Sequence, residues 1–186
     1  MVHVAEIKGS DWSVAIGGFR DAPVSDVDEL LSKVGEAAGQ SVFQLFDADK
    51  VAGWRHLFFA AVNAVKAFEA GTTVSRGLAM EVLLYASCVD QISQALDVTG
   101  VSSSTERVAI LVMSENRGGL LEAFKQVSGV LGRADDDVLR VDGVKLEALK
   151  GVFGISDREI EAVGSPVEDA LTWLIVERGA LLPLRK

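Results

Sequence analysis

The chain opens with a period of two. His3-Val4-Ala5-Glu6-Ile7 and Trp12-Ser13-Val14-Ala15-Ile16 alternate on either side of the turn cluster Lys8-Gly9-Ser10-Asp11, which predicts two strands. Gly17 and Gly18 end or bulge the second of them. After Pro23, Ser25 with Asp28 three places later predicts a capped helix through Leu30, Leu31 and Val34, closed by Gly35 and Gly39. Ser41 to Phe46 is a short strand, and Val108 to Met113 is β-rich and bounded by polar clusters, as a buried strand should be.

Between those two strands the period changes to that of a helix. Trp54, Phe58, Ala61, Val62, Val65 and Phe68 share one face at three- and four-residue spacings, while Leu57, Ala60 and Ala64 make the other face apolar too. Ser75 is the expected N-cap of the next helix, where Glu81 is the single charge between Leu78 and Cys88. The pattern continues, or restarts after a kink at Ser87-Cys88, with Ile92, Ala95 and Leu96 inward and Gly100 as its stop. A helix carrying Leu120, Leu121, Phe124, Val127 and Leu131 comes next, then an Asp-rich solvated loop from Arg133 to Asp142. Three short helices end the pattern, the last two opened by Ser156 with Glu159 and by Ser165 with Glu168 after Pro166. The apolar run Ala180 to Leu184 either docks on the protein's own sheet as an edge strand or awaits a partner.

These elements predict an α+β protein. A small mixed sheet of about four strands packs against a helical layer in one domain over residues 1–186, and the helices of 143–186 complete it. With 49% apolar residues the chain of 186 is not disordered, and one cysteine allows no internal disulfide. The beginning has neither a basic segment nor an apolar one, and the longest uncharged apolar runs are too short to span a bilayer, so a reducing cytoplasm is the expected setting, without membrane contact. A net charge of −9 excludes a broad electrostatic grip on duplex DNA.

Candidate chemistry is sparse. The two histidines, His3 and His56, form no ligand pair, no Cys-x-x-Cys is present, and neither a P-loop nor a Gly-x-Gly-x-x-Gly turn follows a strand. Metal, cofactor and catalytic residues are therefore all expected to be none. Cys88 reads as a small buried hydrophobe, and Glu81 either as a carboxylate satisfied within the fold or as an acid–base group, which would make the protein a small-molecule enzyme built on Glu81 and Cys88. Arg55, His56, Lys66 and Arg76 are the basic residues about the central helices. They are either ordinary solvated surface or, with Ser75 and Arg76 opening a helix, a small anion site.

The order of these motifs resembles a known family. Asp47-Ala48-Asp49 with Val51-Ala52-Gly53 leads into a helix with His56-Leu57, followed by Ala67-Phe68-Glu69 and Gly71, then Val74-Ser75-Arg76. Met80 to Ser87, Gln91-Ile92 with Ala95, Phe153 to Asp157 with Glu159, and Val176-Glu177-Arg178 with Ala180-Leu181-Leu182 complete it. Together they resemble the kinase-binding subunit of the KEOPS complex, the TPRKB family, in its archaeal form.

The resemblance implies a non-catalytic cytoplasmic subunit with two partners. One is the small atypical kinase of KEOPS, which makes threonylcarbamoyl adenosine in tRNA. The other is the single-stranded 3′ CCA end of tRNA, held by apolar platforms and a few cations. It points to Arg55, His56, Lys66, Ser75, Arg76 and Gln91 for the RNA, and to Trp173, Ile175, Val176, Leu181, Leu182 and Leu184 for the kinase. One departure stands out: Asp90 occupies the place before Gln91-Ile92 where the family commonly has a basic residue. Asp90 and the net charge favour the alternative, a kinase-binding module that has lost RNA.

Overall fold

The computed structural model describes residues 2–185. Five strands and eight helices are described: β1 His3–Glu6, β2 Ser13–Arg20, α1 Val27–Ala38, β3 Val42–Asp47, α2 Gly53–Glu69, α3 Leu78–Ser87, α4 Ile92–Thr99, β4 Arg107–Ser114, α5 Arg117–Leu131, β5 Arg133–Ala134, α6 Gly143–Phe153, α7 Asp157–Val163 and α8 Val167–Ala180. The α+β class expected from the patterning is the class observed. The chain divides into two compact units, one running through Ala48 and again over Gly100–Val138, the other over Asp49–Thr99 and from Leu139 onward.

The first unit holds the sheet, in the order β1-β2-β4-β3 with β5 beside the end of β2. Every pairing is antiparallel, where the patterning had suggested a mixed sheet. β2 and β3, joined through α1, run in the same sense, but β4 lies between them and is antiparallel to both, so no two hydrogen-bonded neighbours are parallel. Gly17 and Gly18 neither end nor bulge β2: they pair in register with Ile110 and Ala109, and the strand continues to Arg20. They serve close approach instead. A Cβ on Gly17 would stand 2.7 Å from the ring of Phe124 on α5, and the Gly18 N–H donates to Asp136 at 3.1 Å. Leu30, Val34 and Ala38 of α1 and Leu120, Ala123, Val127 and Leu131 of α5 bury one face of the sheet with Ala15, Phe19, Leu45, Val108, Ile110 and Val112. Leu121 of the same helix is 47% exposed, since Ala123 takes the sheet-facing position on that turn.

The second unit is helical. The inner face of α2 is built from Leu57, Ala60, Ala61, Ala64 and Val65, whereas Trp54, Phe58 and Phe59 are half-buried and Phe68 is exposed. The aromatic residues expected inside thus sit toward the outside. The alanines explain it, because small side chains let neighbouring helices approach closely and pack without voids. Between α3 and α8 the approach is closer still: a Cβ on Gly179 would lie 2.6 Å from the Tyr85 carbonyl oxygen. Leu149, Phe153, Ile160, Leu171 and Ile175 fill the core under α6, α7 and α8. On α4 only Ala95 and Thr99 turn inward, leaving Ile92 and Leu96 exposed against expectation.

Helix starts follow local side-chain chemistry. The box of Ser156 and Glu159 opens α7 as expected. Two other serines stand one place too early. Asp26, not Ser25, caps α1, and Pro166 holds the extended cap position of α8, so Ser165 makes no capping bond. The run after α8 forms a 3₁₀ turn over Leu182–Arg185 rather than an edge strand. Pro183 lacks the N–H that a paired strand would use.

Candidate functional site

The α2–α3 connection is organised by a carboxylate. Glu81, on the first turn of α3 and 1% exposed, accepts the N–H of Val74 at 3.1 Å, the N–H of Ser75 at 2.9 Å and the Ser75 hydroxyl at 3.0 Å. Gly77, not Ser75, is the N-cap of α3. The expected anion site at Ser75 is therefore filled by the protein's own anion: the loop amides that would cradle a phosphate already hold Glu81. Ser75 is buried and committed, its one hydroxyl proton shared between Glu81 and Gly77 O, the latter at 2.8 Å. Arg76, the next residue, is exposed, as are Lys66 on the last turn of α2 and Gln91 and Asp90 at the bend before α4.

His56 belongs to the interior. It is 2% exposed, its Nδ1 accepts the Ala52 N–H at 3.2 Å, and its Nε2 lies 2.8 Å from Ala86 O, to which it donates. The edge of Phe153 stands against the ring, with centroids 5.7 Å apart. Burial pushes the imidazole pKa down to about 4, with the positive charge of Lys145 adding a smaller push. A neutral ring bonded at both nitrogens has nothing left to offer a ligand, which removes His56 from the candidate RNA contacts. The bond to Ala86 ties α2 to the last turn of α3. Cys88, just beyond, takes the left-handed conformation that closes α3, and its buried thiol donates to Ile175 O at 3.4 Å. A cavity of ≈ 360 Å³ lies nearby, lined in part by Cys88, Val98, Phe153 and Arg178. The Arg178 guanidinium is engaged by Phe153 O and Glu159.

The outer side of α2 and α8 has a different character. Trp54 and Phe58 are 6.2 Å apart between ring centroids, Phe58 and Phe59 5.2 Å, and Phe59 and Trp173 5.4 Å, the last two pairs edge to face. Arg55 lies over the Trp54 ring at 5.2 Å and reaches within 3.9 Å of Asp169. Of the residues expected to meet a kinase, Trp173 is 41% exposed, Leu181 41% and Leu184 79%, and Val176 is half-buried. Ile175 and Leu182 are buried in the protein's own core, so they support that surface from beneath and cannot belong to it. The sequence placed Trp54 and Phe58 on one helix face but did not link them to Trp173; only the packing of α2 on α8 does that.

Among the described residues, no group of three or more His, Cys, Asp and Glu side chains could hold a metal ion, and no helix is long and apolar enough to cross a membrane. What stands out chemically is a partly exposed surface of aromatic and aliphatic side chains on α2, α8 and the turn after it, the anatomy of a protein that binds another protein. Residues 21–179 match the family described as kinase binding protein CGI-121, and the chain belongs to that family. No match to an individual curated protein was found.

Proposed function

We propose that this chain is a non-catalytic, cytoplasmic accessory subunit of archaeal type in a KEOPS complex. It binds the complex's small atypical kinase and helps to hold the 3′ CCA end of tRNA during threonylcarbamoyl adenosine synthesis. The match to a kinase-binding family over most of the chain carries this reading. The kinase contact uses the exposed part of the C-terminal helix and tail, with Trp173, Val176, Leu181 and Leu184. Tail variants should be chosen by burial. Leu184→Glu changes a side chain that is 79% exposed, whereas cutting the chain after Glu177 would also remove the packed Gly179 and Leu182.

The RNA contact falls to the exposed Arg55, Lys66, Arg76 and Gln91. A second reading, a kinase-binding module without RNA, is favoured by Asp90, which is exposed beside Gln91, and by the net charge of −9. Co-purification of the chain with the KEOPS kinase, with and without tRNA, tests both. Kinase binding that tRNA leaves unchanged, with no tRNA retained, selects the second reading; failure to retain the kinase ends both.

A further inference from the structure

We infer that the aromatic ladder Trp54–Phe58–Phe59–Trp173, across α2 and α8, is the centre of the kinase contact and takes an apolar face of the kinase ringed by lysine or arginine. The inference rests on the kinase-binding reading and adds to it the place and the chemistry. Three observations carry it.

The four rings form one connected row, each within 6.2 Å of the next, so they present a single surface rather than scattered side chains. Aromatic residues give large contact area at small cost in side-chain entropy, and Trp is among the residue types most enriched where binding energy concentrates. The choice of inner residues leaves this row only partly covered: α2 turns its alanines to the core and keeps Trp54, Phe58 and Phe59 half-buried, although these would bury more apolar area if turned inward. Trp173, at the end of the row, stands at 41% exposure.

The rim sets the partner's charge. Glu168, Asp169 and Glu177 of α8 are exposed, while Arg178 of the same helix is turned in to Glu159 and Phe153 O. Arg55 is a cation at this rim, over the Trp54 ring and 3.9 Å from Asp169, which makes it part of this contact and leaves the RNA contact to Lys66, Arg76 and Gln91. A platform of aromatics with cations would suit single-stranded RNA. This one is edged by carboxylates, which repel phosphate and attract a basic rim on a protein.

Titration calorimetry with the purified KEOPS kinase decides it, using Phe59→Ala, Trp173→Ala and the rim variant Asp169→Lys/Glu177→Lys. Leu121→Ala, at an exposed apolar residue of α5, is the control. The wild-type chain is expected to bind, each aromatic variant to bind at least about 30-fold more weakly, and the control to bind like wild type. The rim variant should lose the salt dependence that the wild type shows. Circular dichroism confirms that each variant is folded, and the rim variant, altered only at exposed positions, tests the site independently of the rings. Wild-type affinity in both aromatic variants and in the rim variant overturns the inference while leaving the kinase reading in place. Absence of wild-type binding overturns both. Variants that keep the kinase but lose a CCA-ended single strand overturn it in favour of RNA.

Discussion

A methyl group on Gly179 would stand 2.6 Å from the carbonyl oxygen of Tyr85, so α8 crosses α3 at a separation that glycine permits and alanine does not. Inside a helix, exchanging glycine for alanine ordinarily gains about 1 kcal/mol of helix propensity. Here the neighbour is backbone and cannot swing aside. The overpacking cost of ~1–3 kcal/mol should win, shifting α8 and lowering the melting temperature of Gly179→Ala by several degrees. A melting temperature at or above that of the wild type would mean that the two helices separate freely.

Stability should depend on pH through His56. The unfolded imidazole titrates near 6.5, whereas burial holds the folded one at about 4. As pH falls through this window the unfolded chain takes up the proton first, so stability present above about 6.5 drains away down to about 4. The total loss is on the order of 3 kcal/mol. Urea unfolding at a series of pH values measures it. His56→Gln, which is less stable at neutral pH because it gives up the paired bonds to Ala52 and Ala86, should lose most of the slope between pH 6.5 and 4. An unchanged slope in that variant would place the titration elsewhere.

The carboxylate of Glu81 is the anchor of the α2–α3 loop, and Glu81→Gln tests that role. The N–H groups of Val74 and Ser75 and the Ser75 hydroxyl all meet one carboxylate oxygen. An amide oxygen in its place is uncharged and a weaker acceptor, and the NH2 replacing the other oxygen faces the Val74 N–H that now reaches it at 3.2 Å. The expected cost is ~1–3 kcal/mol, with faster hydrogen exchange at the amides of Val74 and Ser75. If exchange at those two amides stays as slow as in the wild type, Glu81 does not hold the loop.

Hydrophobic periodicity located nearly every element, because β4, α2 and α3 each carry a strong local pattern. It failed where two patterns competed. On α2 both faces are apolar, so spacing alone could not say that Leu57 and Ala61 go in and Phe58 stays out. That choice depends on which side of α2 meets α3 and α8, and α8 lies far along the chain. The candidate site was legible in part for the same reason. Exposed cations such as Arg76 could be read from the sequence, but His56 and Ser75 are told from a surface ligand by their burial and their hydrogen bonds to Ala86 and Glu81, which local spacing does not show. A lone buried polar residue in an apolar helix, like Glu81, was the one signal that pointed to such a network.

RNA binding, where it exists, should respond to single charges beside the α2–α3 loop and before α4. Arg76 is held exposed by a loop that Glu81 braces, and Lys66 leads into it from α2. Asp90 sits exposed next to Gln91, where a carboxylate repels phosphate. Lys66→Glu and Arg76→Glu are therefore expected to weaken binding of a CCA-ended tRNA, and Asp90→Lys to tighten it. The log–log slope of affinity against salt should fall in magnitude by about one for each cation that no longer meets a phosphate, and rise by about one for Asp90→Lys. Filter binding over a range of salt concentrations gives both quantities. tRNA lacking CCA is the comparison that separates end recognition from simple charge attraction. If Asp90→Lys gains equally for both RNAs, the added lysine acts as a nonspecific cation and the 3′ end is not held at this bend.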